Sequence, residues 1–216
     1  MKRMMVCILI FGIAVSVFAQ TSLPEHNFSS GSWSVKGERA FQNDANARLA
    51  RANVKAPQNG IMVYDFNARY EDGIQDGHGG FGVHIFADSI HNTASWGCGV
   101  SYLLWLNYDE KPKNSRIPKG LSAQVYRSYT HSYMELIESV DLNEYLDLLT
   151  EEALSYSVPF RIWANADTGE IRVYDPTDPN FSRYYYFFIN KKDLPLKGNW
   201  VSFRTNGMKM SFGAGL

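Results

Sequence analysis

Between Ile61 and Asn107 the chain alternates apolar and polar residues almost one for one. The run IMVYDFNARY gives way to a glycine-rich break, then FGVHIFA, a second break, and CGVSYLLWLN. A period of two places successive side chains on opposite faces of a pleated strand, so each run predicts a strand with one dry and one wet side. Later segments repeat the pattern. Val158–Ala164 and Glu170–Tyr174 flank Asn165-Ala-Asp-Thr-Gly169 as a hairpin, with Val158, Phe160, Ile162, Ile171 and Val173 on its dry face. Tyr184–Asn190, Gly198–Arg204 and Met208–Phe212 read as further strands, the last two joined by Asn206-Gly207. Shorter strands are expected at about 122–128 and 133–138, and another starts at Trp33. Residues 43–59 read as a helical turn or loop, and 71–80 and 107–120 as loops.

One stretch departs from this period. Residues 140–152 predict a short helix in which Asp141 caps and Glu144 completes a capping box. Leu142, Tyr145, Leu146 and Leu149 then share one face. About ten strands and one helix imply an all-β fold, a two-layer antiparallel β-sandwich of the jelly-roll kind, because a strand with one dry face must bury it on another layer.

The N-terminus follows a different logic. Lys2 and Arg3 precede the apolar run Met4–Phe18, which is too short to span a bilayer, and Val17-Phe18-Ala19 supplies a cleavage site before Gln20. Residues 1–19 are therefore expected to be a signal peptide, 20–32 a flexible lead-in, and 33–216 a single domain. The protein is expected to be exported, periplasmic or extracellular, with no cysteine placed to carry a lipid anchor. Lys2 and Arg3 are the only charges of that segment, so its removal moves the formal charge from −1 to −3. So mild a balance offers no electrostatic grip on nucleic acid or, after signal cleavage, on a membrane. Cys98 remains as a lone cysteine and reads as a small buried hydrophobe on a strand.

The order of several segments resembles the concanavalin A-like lectin/glucanase jelly rolls, laminin-G-like members included. The residues are Tyr64–Tyr70, Gly79–Val83, Ser101–Trp105, Val158–Trp163 with Gly169–Val173, and Gly198–Gly207. The resemblance covers residues 33–216 and implies the sandwich fold, with carbohydrate as the associated ligand class. A glucanase of that group would carry Glu-x-Asp-x-x-Glu or Glu-x-Asp-x-Glu on a central strand, and neither occurs here. Glu135 and Glu138 are three apart, which on a regular strand sets them on opposite faces and argues against paired-carboxylate hydrolysis.

No catalytic residues are assigned. The binding candidates are the polar and aromatic residues of the wet faces: Asp65, Asn67 and Arg69 on the first long strand, His84 on the second and Trp105 on the third. Gln124 and Tyr126 follow near 125, and Arg161 and Trp163 sit in the hairpin. Aromatic rings take the CH faces of sugars, while planar amide, carboxylate and guanidinium groups take the hydroxyls. The expected role is non-catalytic binding of a glycan or another polymer of the bacterial envelope. The alternatives are a coat or sheath subunit contacting other periplasmic proteins in an appendage such as a spirochaete-type flagellar filament, and a glycoside hydrolase-like enzyme. No cofactor is expected, and the acidic stretch around Asp72 and Asp76 is the place where Ca²⁺ would bind if it did.

Overall fold

A computed structural model describes residues 23–73, 77–148 and 151–214. The proposed signal peptide lies outside the described residues. In chain order the strands are β1 (His26–Ser30), β2 (Trp33–Lys36), β3 (Arg39–Gln42), β4 (Ala50–Gln58), β5 (Ile61–Gly73), β6 (His78–Ala87) and β7 (Ser101–Asp109). They continue with β8 (Gly120–Ser128), β9 (Met134–Asp141), β10 (Val158–Asn165), β11 (Glu170–Tyr174), β12 (Tyr184–Phe188), β13 (Gly198–Asn206) and β14 (Met208–Ala214). They build two antiparallel sheets of seven strands. Sheet A runs β12-β11-β10-β5-β14-β3-β2, and sheet B runs β1-β4-β13-β6-β7-β8-β9. No helix among the described residues is long and apolar enough to cross a membrane.

The layers meet through the dry faces that the alternation marks. Met62, Tyr64, Phe66 and Ala68 of β5 and Ile162 and Ala164 of β10 pack against Val83 and Ile85 of β6, Tyr102 and Leu104 of β7, and Val201 and Phe203 of β13. Phe66 stacks on Phe160 at 5.4 Å and meets Phe203 edge-on at 5.1 Å, which ties the two sheets across the centre. Each such ring, once buried, contributes about 1.5–3 kcal/mol. The β10–β11 hairpin forms as its sequence implies. Gly169 sits at φ +75, a left-handed conformation that costs glycine little, and its N–H donates to the Asn165 carbonyl.

Several details differ from the sequence reading. Residues 26–30 of the lead-in form β1, paired with β4, and residues 50–58, read as a turn or loop, form β4 itself. The proposed helix shrinks to a 3-10 turn, Asn143–Leu148, and a single helical turn, α1 (Glu151–Leu154). Asp141 ends β9, and its carboxylate accepts from Asn143 N–H. Leu149 lies outside the described residues. Strand β5 runs through Glu71 to Gly73 and β7 runs to Asp109, so both neighbouring loops are shorter than expected. Cys98 is buried but sits in the loop between β6 and β7.

Candidate functional site

The outer face of sheet A carries the residues that alternate with the core positions of β5, β10, β11 and β12. Strand register sets them in rungs. Trp163 of β10 lies opposite Arg172 of β11, which lies opposite Tyr186 of β12. The Arg172 guanidinium stacks 4.4 Å from the Trp163 ring and 5.0 Å from the Tyr184 ring while its Nε donates to Glu170 at 2.7 Å. Arg161 lies opposite Asp65 and grips it with two hydrogen bonds, 2.7 and 2.9 Å. Phe181, from the loop after β11, covers the Arg161 guanidinium at 4.4 Å. That loop is folded by Asp178, which accepts from Ser182 N–H and O–H, Asn180 N–H and Arg183 N–H. These bonds pull its pKa down to about 2. Further along β5, Arg69 chelates Glu71, which also accepts from Ser211, and Arg39 reaches Ser211 from β3. Burial pushes the Glu71 pKa up, but the hydrogen bonds from Arg69 and Ser211 outweigh it and leave a net decrease. The result is a face of paired charges, planar guanidiniums and rings that solvent reaches.

The outer face of sheet B is built from the same residue types and ends differently. One rung crosses six strands: Arg51, Arg204, Gly82, Trp105, Gln124 and Ser139. Trp105 lies against the glycine backbone of β6. A Cβ on Gly80 would fall 2.6 Å from its ring, and one on Gly82 would fall 2.1 Å from the Leu104 carbonyl oxygen. The loop of residues 88–100 folds over the Arg51 end of this rung. Arg51 donates to the Ser95 carbonyl and hydroxyl and to the Gly97 carbonyl, and Arg204 donates to the Trp96 carbonyl. Trp96 and Trp105 flank the Arg204 guanidinium at 4.8 and 5.1 Å. Ser128 ties down the loop by accepting from Cys98 N–H and donating to the Gly99 carbonyl. Arg51, His84, Ser101, Gln124 and Arg204 are all buried on this face. Burial, then the charges of Arg51 and Arg204, hold His84 well below the usual imidazole pKa.

The nine sequence-predicted residues therefore do not converge. Asp65, Asn67, Arg69, Arg161 and Trp163 share the outer face of sheet A. His84, Trp105, Gln124 and Tyr126 lie on the outer face of sheet B, across the sandwich, where Trp105 packs with Leu103, Met134 and Tyr126 as a second small core. Gln124 is spent internally, donating to Ser122 and accepting from Tyr126. Sequence reasoning left out Arg172, Tyr184, Tyr186 and Phe188 of sheet A. The alternation within YYYFF was their signal, since every second ring of that run points outward.

The carboxylates are likewise engaged. A register shift at Ile137 sets Glu135 opposite Arg127 and Glu138 opposite Val125, so the two glutamates share a face after all. They are met by separate phenols: Tyr129 donates to Glu135 and Tyr185 to Glu138. Asp72 pairs with Lys209 at 3.1 Å, and Asp76 lies outside the described residues. Among the described residues, no group of three or more His, Cys, Asp or Glu side chains is placed to hold a metal ion.

No protein-family model and no curated protein sequence matches the chain. Solved structures do. Peanut lectin superposes with a TM-score of 0.51 at 13% identity, over 90% of this chain and 93% of the lectin. The chain has the concanavalin A-like jelly-roll fold. The CBM2 module of the evolved Dit of Lactobacillus casei BL23 phage J-1 superposes at 0.48 and 12% identity, over 86% of this chain and 77% of that one. A legume lectin-like domain from Entamoeba histolytica follows at 0.45 and 10%, over 88% and 86%.

Proposed function

We propose that this jelly roll is a non-catalytic carbohydrate-binding protein, exported to the periplasm or cell exterior, whose ligand is a glycan or related polymer of the bacterial envelope. A single observation carries the reading. The outer face of sheet A presents Trp163 and the exposed rings of Tyr184, Tyr186 and Phe188 beside planar Arg172 and the Asp65–Arg161 pair. Rings of this kind stack on sugar CH faces, and the neighbouring pairs offer both donors and acceptors for hydroxyls. The likeness to peanut lectin concerns the fold alone. Export rests on the N-terminal sequence. Retention on immobilised envelope polysaccharides tests the binding. The expected result is retention of the wild type, roughly tenfold weaker binding by Trp163→Ala, the scale of one aromatic contact, and unchanged binding by Tyr126→Phe on sheet B. A wild type that no polysaccharide retains, or a Trp163→Ala protein retained equally well, would end this reading.

A second role is favoured by the open aromatic edge at Tyr184–Phe188. A coat or sheath subunit of a periplasmic appendage would use such a surface against protein. Co-purification with filaments is the observation that would distinguish it.

A further inference from the structure

The two sheets have four end strands, and three of them carry features that discourage pairing with another chain. Strand β1 has a register break between Phe28 and Ser30. Strand β2 has four residues and ends in Lys36. Strand β9 carries Glu135, Glu138 and Asp141 together with the register shift at Ile137. Charges, bulges and short length are how sheet edges are kept from recruiting partners. Strand β12, though short, carries neither charge nor bulge. Its five residues, Tyr184-Tyr-Tyr-Phe-Phe188, are all aromatic, contain no proline or charge, and pair with β11 in unbroken register. Tyr184 is 43% exposed, Tyr186 57% and Phe188 61%. Tyr185 points toward the other sheet and is still 43% exposed, because the strand lies at the rim.

We infer that β12 pairs antiparallel with β12 of a second copy about a two-fold axis through Tyr186. The strand's own sequence argues for that occupant. In this register Tyr186 faces the partner's Tyr186, Tyr184 faces the partner's Phe188, and Tyr185 faces the partner's Phe187. Every cross-strand pair is aromatic on aromatic, and no like charges meet. Such cross-strand pairs stabilise a ladder, and a two-fold repeat satisfies both edges at once. Five residues make a short ladder, so the dimer is a weak one. Joining the sheets edge to edge sets the outward rings of both copies in one strip, so the partner extends the aromatic face of sheet A.

Sedimentation velocity of the purified protein over a concentration series, without polysaccharide, tests the pairing independently of glycan binding. The wild type is expected to pass from monomer to dimer as concentration rises. Y186K, which sets two cations across the axis, is expected to stay monomeric with an unchanged far-UV circular dichroism spectrum. Carrying Y184K and F188E in one chain places opposite charges across the axis twice and is expected to dimerise, whereas Y184K alone is not. V35K on β2, at the other end of sheet A, is expected to leave the equilibrium untouched. A wild type monomeric at every concentration, as for an edge that instead takes up an extended peptide, would overturn the inference. So would a dimer that survives Y186K, or a double variant that stays monomeric.

Discussion

The two outward faces of this sandwich carry similar residues with opposite fates. On sheet B, Arg51 and Arg204 hold down the molecule's own loop, while Gln124 and His84 bond within the sheet. Arg51 and Arg204 are buried with backbone carbonyls and indole rings as partners, and among the described residues neither forms a salt bridge. On sheet A, Arg172 and Trp163 pair on the same sheet, and Tyr184, Tyr186 and Phe188 stay exposed. Burying a guanidinium is costly unless its donors are met. The carbonyls of Ser95, Trp96 and Gly97 meet several of them, which makes the loop part of the structure of that face. The lesson is that a polar residue at an outward strand position is not thereby a surface residue.

The largest expected effect comes from the tryptophans. Trp105 is 8% exposed and packed on glycine backbone. Trp105→Ala is expected to cost about 3–5 kcal/mol, read from the urea midpoint. The half-buried Trp163→Ala is expected to cost about 1 kcal/mol or less. Equal losses would erase the contrast between the faces.

Acid should separate the faces next. His84 and His131 both have folded-state pKa values below the 6.5 of a free imidazole. For His131 the causes are burial, then His91 and Arg51, with Asp88 opposing. The unfolded chain takes up these protons first, so their contribution is intact above pH 6.5 and is lost as pH falls below it. The slope is about 1.4 kcal/mol per pH unit for each histidine. Glu71 on sheet A, lowered from 4.5, also has stability to lose in acid, but only as pH falls below that value. Unfolding midpoints measured from pH 7 to pH 4 should therefore fall first through sheet B, and His84→Gln should flatten the upper part of the profile. A profile flat from pH 7 to pH 5 would mean that the sheet B face is open to water.

The smallest effect is expected at Asp65. Its pair with Arg161 is about one-third exposed on both sides. Asp65→Asn should change stability by about 1 kcal/mol or less, in a thermal melt, and that loss should shrink further in high salt. A larger loss would make the pair part of the core rather than of an open face.

The strands with strong alternation were legible because their dry positions hold large side chains. Met62, Tyr64 and Phe66 mark β5, and Phe160 and Ile162 mark β10. Strand β4 was missed because its inward residues are Ala52, Val54 and Ala56, too small to stand out against Arg51, Asn53 and Lys55. The helix was over-read because Asp141 and Glu144 match a cap whose first member belongs to β9. The parity of Glu135 and Glu138 was misjudged because one extra residue, Ile137, shifts the strand register.

By itself the amino-acid order determined that the chain forms stacked strand layers and marked the aromatic run Tyr184–Phe188, since both follow from residues close together in the chain. Which outward face stays open was decided only in three dimensions. The hydrogen bonds that close sheet B join Arg51 to Ser95 and Gly97, and Arg204 to Trp96, across 44 to 108 residues of chain. No local period records a partner that far away.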